Sequence, residues 1–260
     1  MELQSVELRV RDVAATARFF EGIWGLVRAD EGGAVRLRGT AALPYLVSLE
    51  EGAPALVAVT FCGSREEIGR EREEKGPEGE RYRFVLAKPA SPLPATRDRP
   101  IRLSHVVLNS NDADAAERFT VEKLGFKVSD RTRHMNFVRC NRKHHCLAFA
   151  RAGATTLNHI AFEMADVDAV MRGIGRLRDA GYPAVWGPGR HGPGNNVFGY
   201  FIGPHGGVIE YTAEVSEVDD SYRVGGPDDW KWPPGRTDHW GVSTKDTERI
   251  SAAERAFRWA

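Results

Sequence analysis

Along this chain apolar and polar residues alternate over short runs, and three segments interrupt the runs with apolar positions at helical spacing. Residues 3–10 set Val6, Leu8 and Val10 against Glu7 and Arg9, the period of a strand with one face buried. Asp12 then stands where a helix N-cap belongs, an amphipathic segment runs through Phe19, and Gly25 marks its end. The same order returns later as a strand from Leu103, then Asp112, a helical segment through Phe119, and Gly125.

That return is a repeat, and it sets the architecture. Leu3, Ser5, Asp12, Phe19 and Gly25 match Leu103, His105, Asp112, Phe119 and Gly125 at one constant offset. Within the later half, Leu103, His105, Asp112 and Ala115 match Leu157, His159, Asp166 and Ala169, and the helix begun at Asp166 ends at Gly181. Short strands are expected after each helix, at 126–130, 135–140 and 145–149 in one module and at 183–186, 197–202 and 207–212 in the next. Each module reads β-α-β-β-β, which predicts an α+β fold of repeated βαβββ modules.

The first hundred residues hold one such module, 3–49, and a shortened one between 55 and 86, because 65–80 is too charged and too short for the full pattern. Pro89, Pro92, Pro94 and Pro100 mark a linker, since proline continues neither helix nor ladder. The expected organisation is an N-terminal domain over 1–95, a C-terminal domain over 101–213 and a tail over 214–260. Trp230, Trp232, Pro233, Pro234 and Trp240 make that tail too aromatic for a disordered end and predict an irregular cover packed on the domains.

Composition narrows the partner. Thirty-six basic and thirty-six acidic side chains cancel over 260 residues, which argues against nucleic acid or an anionic membrane and for a small molecule. No apolar run reaches a membrane span and the N-terminus opens directly into a strand pattern, so a cytoplasmic protein is expected. Cys62, Cys140 and Cys146 are odd in number and lack metal-type spacing, which predicts reduced, buried thiols.

The chemistry concentrates in the second half, because all eight histidines lie between His105 and His239. His105 and His159 hold one position on the first strands of two related modules, so pseudo-symmetric packing brings their imidazoles together. Glu210 lies in the apolar run 208–211, where an ionised carboxylate is costly to bury without a metal or an arginine beside it. Two histidines and one carboxylate are the ligand set of a facial-triad non-haem iron site. Ser5 and Ala58 stand where those histidines do, so the first half is expected to be scaffold. His145 holds the last-strand position of its module, as Glu210 does in the next, and alternation turns its neighbour His144 to the other face. His134, His205 and His239 fit no pattern, and surface or turn positions are expected for them.

The stretch Gly189-Arg190-His191, then Tyr200, Pro204, Gly206 and Glu210, resembles the signature of the two-domain, type I extradiol ring-cleaving catechol dioxygenases of the vicinal oxygen chelate superfamily. The resemblance extends over residues 1 to about 213 and is strongest after Arg102. It implies two open-barrel domains, Fe(II) on His105, His159 and Glu210 with Mn(II) as an alternative, and O2 as co-substrate. It also implies His145 as the acid–base residue, His191 and Tyr200 as partners of the substrate oxygens, a homo-oligomer, and a role in aromatic hydrocarbon catabolism. Gly199 and Gly203 depart from the signature, which bears on substrate fit more than on metal chemistry. Two other readings remain open at this point. One is a glyoxalase- or epimerase-like metal enzyme of the same fold, and the other is a non-catalytic protein that binds an aromatic compound.

Overall fold

The computed structural model describes residues 1–30, 33–88, 90–94, 96 and 98–259; Pro89 of the expected linker lies outside them. The first half runs β1 (Glu2–Val10), α1 (Val13–Phe19), β2 (Val27–Arg28), β3 (Val35–Arg38), β4 (Val47–Glu51), β5 (Ala55–Gly63), α2 (Arg65–Ile68), β6 (Arg72–Lys75) and β7 (Arg81–Leu86). The second runs β8 (Arg102–Ser110), α3 (Ala113–Leu124), β9 (Lys127–Arg131), β10 (Met135–Arg139), β11 (Leu147–Arg151), β12 (Thr156–Glu163), α4 (Val167–Asp179), β13 (Trp186–Arg190), β14 (Val197–Ile202) and β15 (Val208–Ala213). A tail follows and ends in α5 (Thr247–Ala256) and β16 (Arg258–Trp259).

Each helix starts for the same local reason. The side chains of Asp12, Asp112 and Asp166 accept from the amides of Ala15, Ala115 and Ala169, which satisfies donors that the first turn leaves open. Gly25 and Gly125 then leave the helix with φ of 94° and 76°, a left-handed turn that an L side chain resists. In the first module α1 gives way to a π-turn at Phe20–Trp24, whereas α3 stays regular to Leu124.

Strand pairing repeats as well. β1 lies parallel to β4 and antiparallel to β5, and β8 lies parallel to β11 and antiparallel to β12. β7 then runs parallel to β5 as β15 does to β12. The two halves meet in an aromatic core where Trp24 stacks on Tyr211 with ring centroids 3.8 Å apart and packs edge-on against Phe162 and Phe201. Each such side chain removed from water contributes about 1.5–3 kcal/mol, and the Tyr211 hydroxyl donates to the Trp24 carbonyl.

Three expectations need correction. β11 begins at Leu147, so His145 sits in the turn before it; the His144 amide is bonded to the Ser216 carbonyl of the tail and not to the ladder. β13 begins at Trp186, its predicted first residue being a proline without an N–H to pair. The tail is irregular only in part. Asp246 caps α5, Ile250 and Ala253 bury its inner face, and β16 pairs with both β5 and β12. Cys62 and Cys146 are buried and Cys140 half-buried, all as thiols; burial pushes Cys62 up to about 12, which leaves it unreactive. Among the described residues no helix is long and apolar enough to cross a membrane.

Candidate active site

Sheet register assembles the candidate ligands. Ala161 on β12 is paired with His105 of β8 on one side and Glu210 of β15 on the other, so His105 and Glu210 share a face two strands apart. His159, two residues before Ala161, joins that face by strand alternation. The carboxylate Oε2 of Glu210 lies 3.3 Å from His105 Nε2 and 3.0 Å from His159 Nε2, and the two Nε2 atoms are 3.4 Å apart.

The outer nitrogens of both rings are held from behind. His105 Nδ1 meets Ser104 Oγ at 3.0 Å and His159 Nδ1 meets Asn158 Oδ1 at 2.7 Å. An Nδ1–H donated to those oxygens leaves each Nε2 lone pair toward the carboxylate, the orientation a metal-ligating imidazole needs. Glu210 is 0% exposed and is met by His105, His159 and the Asn196 amide. Burial pushes its carboxyl up, but the two imidazoles outweigh that and hold it well below the usual carboxylate range. Burial also lowers His159, against the pull of Glu210, so its ring is neutral at neutral pH. Two imidazoles and a carboxylate with, among the described residues, no lysine or arginine at ion-pair distance, their donor atoms all within 4.8 Å, fit a divalent cation.

His145, His191 and Tyr200 line the same cavity as His105 and His159, a space of about 770 Å³. The His145 ring centroid is 4.2 Å from that of His105. The Tyr200 hydroxyl lies 3.1 Å from His191 Nε2 and 3.3 Å from His159 Nε2. Burial, reinforced by the neighbouring histidines, holds His145 well below its ordinary value. Burial takes His191 down to about 3 and Tyr200 well above the usual phenol range. All three are therefore uncharged near pH 7.

Several neighbours escaped the sequence reading. His144 is not part of the cavity lining, yet it is 1% exposed and contacts His145 directly. His134, expected only at the surface, is exposed but lines the cavity mouth, and His205, in the turn before β15, is buried against Phe20. From the tail come Trp230, Trp232, Lys245, Ile250 and Glu254, which wall one side of the cavity. The tryptophans were the available signal; nothing in their spacing revealed which face they cover. Neither Gly199 nor Gly203 lines the cavity, and both meet packed neighbours. A Cβ at Gly199 would come within 2.9 Å of Ile174 on α4, and one at Gly203 within 2.3 Å of the His205 ring, so both serve packing.

Residues 102–211 match the model of the Glyoxalase/Bleomycin resistance protein/Dioxygenase superfamily, and this part of the chain is a domain of that superfamily. Among individual proteins, the chain is 32% identical over 167 residues to metapyrocatechase 2 of Cupriavidus necator, a match covering 63% of this chain and 48% of that one. The chain spans about half the length of the curated relatives it matches. The Mn(II)-bound glyoxalase of Novosphingobium aromaticivorans superposes with a TM-score of 0.84 at 29% identity, covering 95% of this chain and 93% of that one. A halotolerant catechol dioxygenase shares the fold with a TM-score of 0.78 at 21% identity, covering 92% and 93%.

Proposed function

We propose that this protein is an extradiol dioxygenase that cleaves a catecholic ring next to its diol and inserts both atoms of O2. The observation that carries the reading is that His145 and the His191–Tyr200 pair open onto one cavity with His105 and His159, with Glu210 behind them. A metal site alone fits many reactions; a neutral base, a phenol donor and an orienting imidazole around it fit a diol. The similarity to metapyrocatechase 2 supports the same reading.

His105, His159 and Glu210 would hold Fe(II), which when bound would supply Lewis acidity toward the diol and activate O2. The protein's own groups handle the protons. His191 Nε2–H donates to the Tyr200 oxygen, 3.1 Å away, which frees the phenol proton for the ionised diol oxygen. His145, uncharged at neutral pH because of burial, takes a diol proton and returns one as the ring opens, double duty suited to an imidazole. Trp186, Ile250, Trp230 and Trp232 wall the cavity with apolar surface, which excludes water from the opened ring. At about 770 Å³ the space is of the size that buries a ligand larger than one ring.

A second reading, isomerisation through a metal-held enediolate, is favoured by the likeness to the Mn(II)-bound glyoxalase. The experiment that separates them is anaerobic loading with Fe(II), addition of single-ring and biaryl catechols, and admission of air. Oxygen consumed in proportion to a new yellow product is the expected result. Bound iron with no oxygen uptake, together with turnover of a hemithioacetal, would move the assignment to the isomerase.

A further inference from the structure

Behind His145 lies a buried chain of polar groups that the reaction outlined above does not use. His144 Nδ1 is 3.0 Å from His145 Nδ1, and His144 Nε2 is 2.6 Å from Asp130 Oδ2 on β9. Asp130 also receives the Tyr222 hydroxyl on Oδ2 at 3.0 Å and the Gly225 amide on Oδ1 at 2.7 Å. Asp130, His144 and His145 are 0%, 1% and 3% exposed. Two of the groups that hold Asp130, Tyr222 and Gly225, belong to the tail.

The direction of these bonds follows from who can donate. Tyr222 O–H and Gly225 N–H are both donors here, and an ionised carboxylate can only accept. His144 Nε2 must then carry a proton to meet Asp130 at 2.6 Å. An imidazole whose one ring proton sits on Nε2 has only a lone pair at Nδ1. The group facing that lone pair is His145 Nδ1, which must bring the proton. The second nitrogen of His145, Nε2, is left bare toward the cavity.

The geometry points to Asp130 and His144 as positioning residues that fix the tautomer of His145, presenting its Nε2 as a base to the bound substrate. The tail thereby takes part in the site, since Tyr222 and Gly225 hold the carboxylate that orders the chain. Asp130→Asn inverts the logic. Its carbonyl oxygen still accepts from Gly225, its amide donates to His144 Nε2, His144 then carries Nδ1–H, and His145 is driven to the Nε2–H form. The same substitution behind the histidine of a serine-protease triad leaves geometry intact and lowers kcat by about 10⁴ through the wrong tautomer.

The use of that base rests on the dioxygenase reading, but the tautomer does not, so the primary test is spectroscopic. Long-range 1H–15N spectra of the metal-free protein labelled at histidine, assigned by His145→Gln, report which ring nitrogen of His145 bears the proton. The wild type is expected to show Nδ1–H and a bare Nε2, and Asp130→Asn the reverse. In turnover, Asp130→Asn is expected to retain the metal content and KM of the wild type while kcat falls by about a hundredfold or more; Tyr222→Phe, which keeps the carboxylate, retains the wild-type tautomer. Nε2–H on His145 in the wild type overturns the proposal even if the variant fails to fold, as does an Asp130→Asn protein with unchanged tautomer and kcat. A wild-type protein with the expected tautomer that cleaves no catechol removes the dioxygenase reading and leaves the positioning intact.

Discussion

Across β8, β12 and β15 one row of the sheet reads His105, Ala161, Glu210; across β1, β5 and β7 the corresponding row reads Ser5, Thr60, Arg83. The next pairing is Val107 opposite His159 in the second half and Glu7 opposite Ala58 in the first. Arg83 meets Glu7 there and reaches Glu73 at 2.8 Å, so a half-exposed ion pair occupies the place where the second half gathers two imidazoles and a carboxylate. The contrast continues beyond the ligands: Asp30 is exposed and bonded to Arg28, whereas Asp130, at the repeat offset from it, is buried behind His144. The βαβββ register therefore determines where side chains converge and leaves open what they do. Cover makes the difference, because the tail walls the second half's open face and a desolvated charge there must find a partner.

The largest effect is expected from Glu210→Gln, which keeps the shape of the row and removes its charge. The two imidazoles then stand without the anion that offsets a divalent cation, and metal affinity should fall by more than the 10- to 100-fold typical of outer-shell partners. Metal content after dialysis and oxygen uptake with a catechol both test it. Wild-type metal content in Glu210→Gln would break the proposed ligand set.

Much of this contrast is legible in the sequence. Repeats carry position, so the match of His105 with His159 and of Ser5 with Ala58 announced where the imidazoles do and do not meet. The Asp caps and terminal glycines were readable because each acts through its own turn. The missing parts depend on contacts distant in sequence. Asp130 and Tyr222 are 92 residues apart, and only the folded tail brings them together. His144 looked idle because alternation describes which face a side chain takes, and its role lies outside the cavity lining. α5 and β16 were missed because their register is set by β5 and β12, not by a pattern of their own.

A second comparison concerns the seam between the halves, where the His205 ring stacks 5.4 Å from Phe20 of the first half. Burial lowers His205 to about 4, against roughly 6.5 in an unfolded chain. Between those values the unfolded chain binds a proton that the folded one refuses, so stability is full above about pH 6.5 and declines as the pH falls toward 4. The loss from this ring amounts to at most about 3 kcal/mol. Urea unfolding at pH 7.5 and 4.5 should show a smaller difference for His205→Gln, whose side chain does not titrate, than for the wild type. Equal differences in the two proteins would assign the acid sensitivity elsewhere, with His191 the next group to test.

The converse of Glu210→Gln is to place imidazoles in the first half, as Ser5→His with Ala58→His. Both positions are 1% exposed, so the larger rings should overpack and lower stability by about 1–3 kcal/mol. Cation binding is expected to remain at one equivalent per chain, because the position matching Glu210 holds the guanidinium of Arg83, which repels what the histidines would attract. Zinc titration of the double variant is the measurement, with thermal unfolding alongside. A second equivalent bound at an affinity near the first would mean that two imidazoles in register suffice and that the carboxylate is dispensable. One equivalent would instead tie the chemistry of the second half to the charge at Glu210, carried by the same strand pairing that holds an arginine in the first.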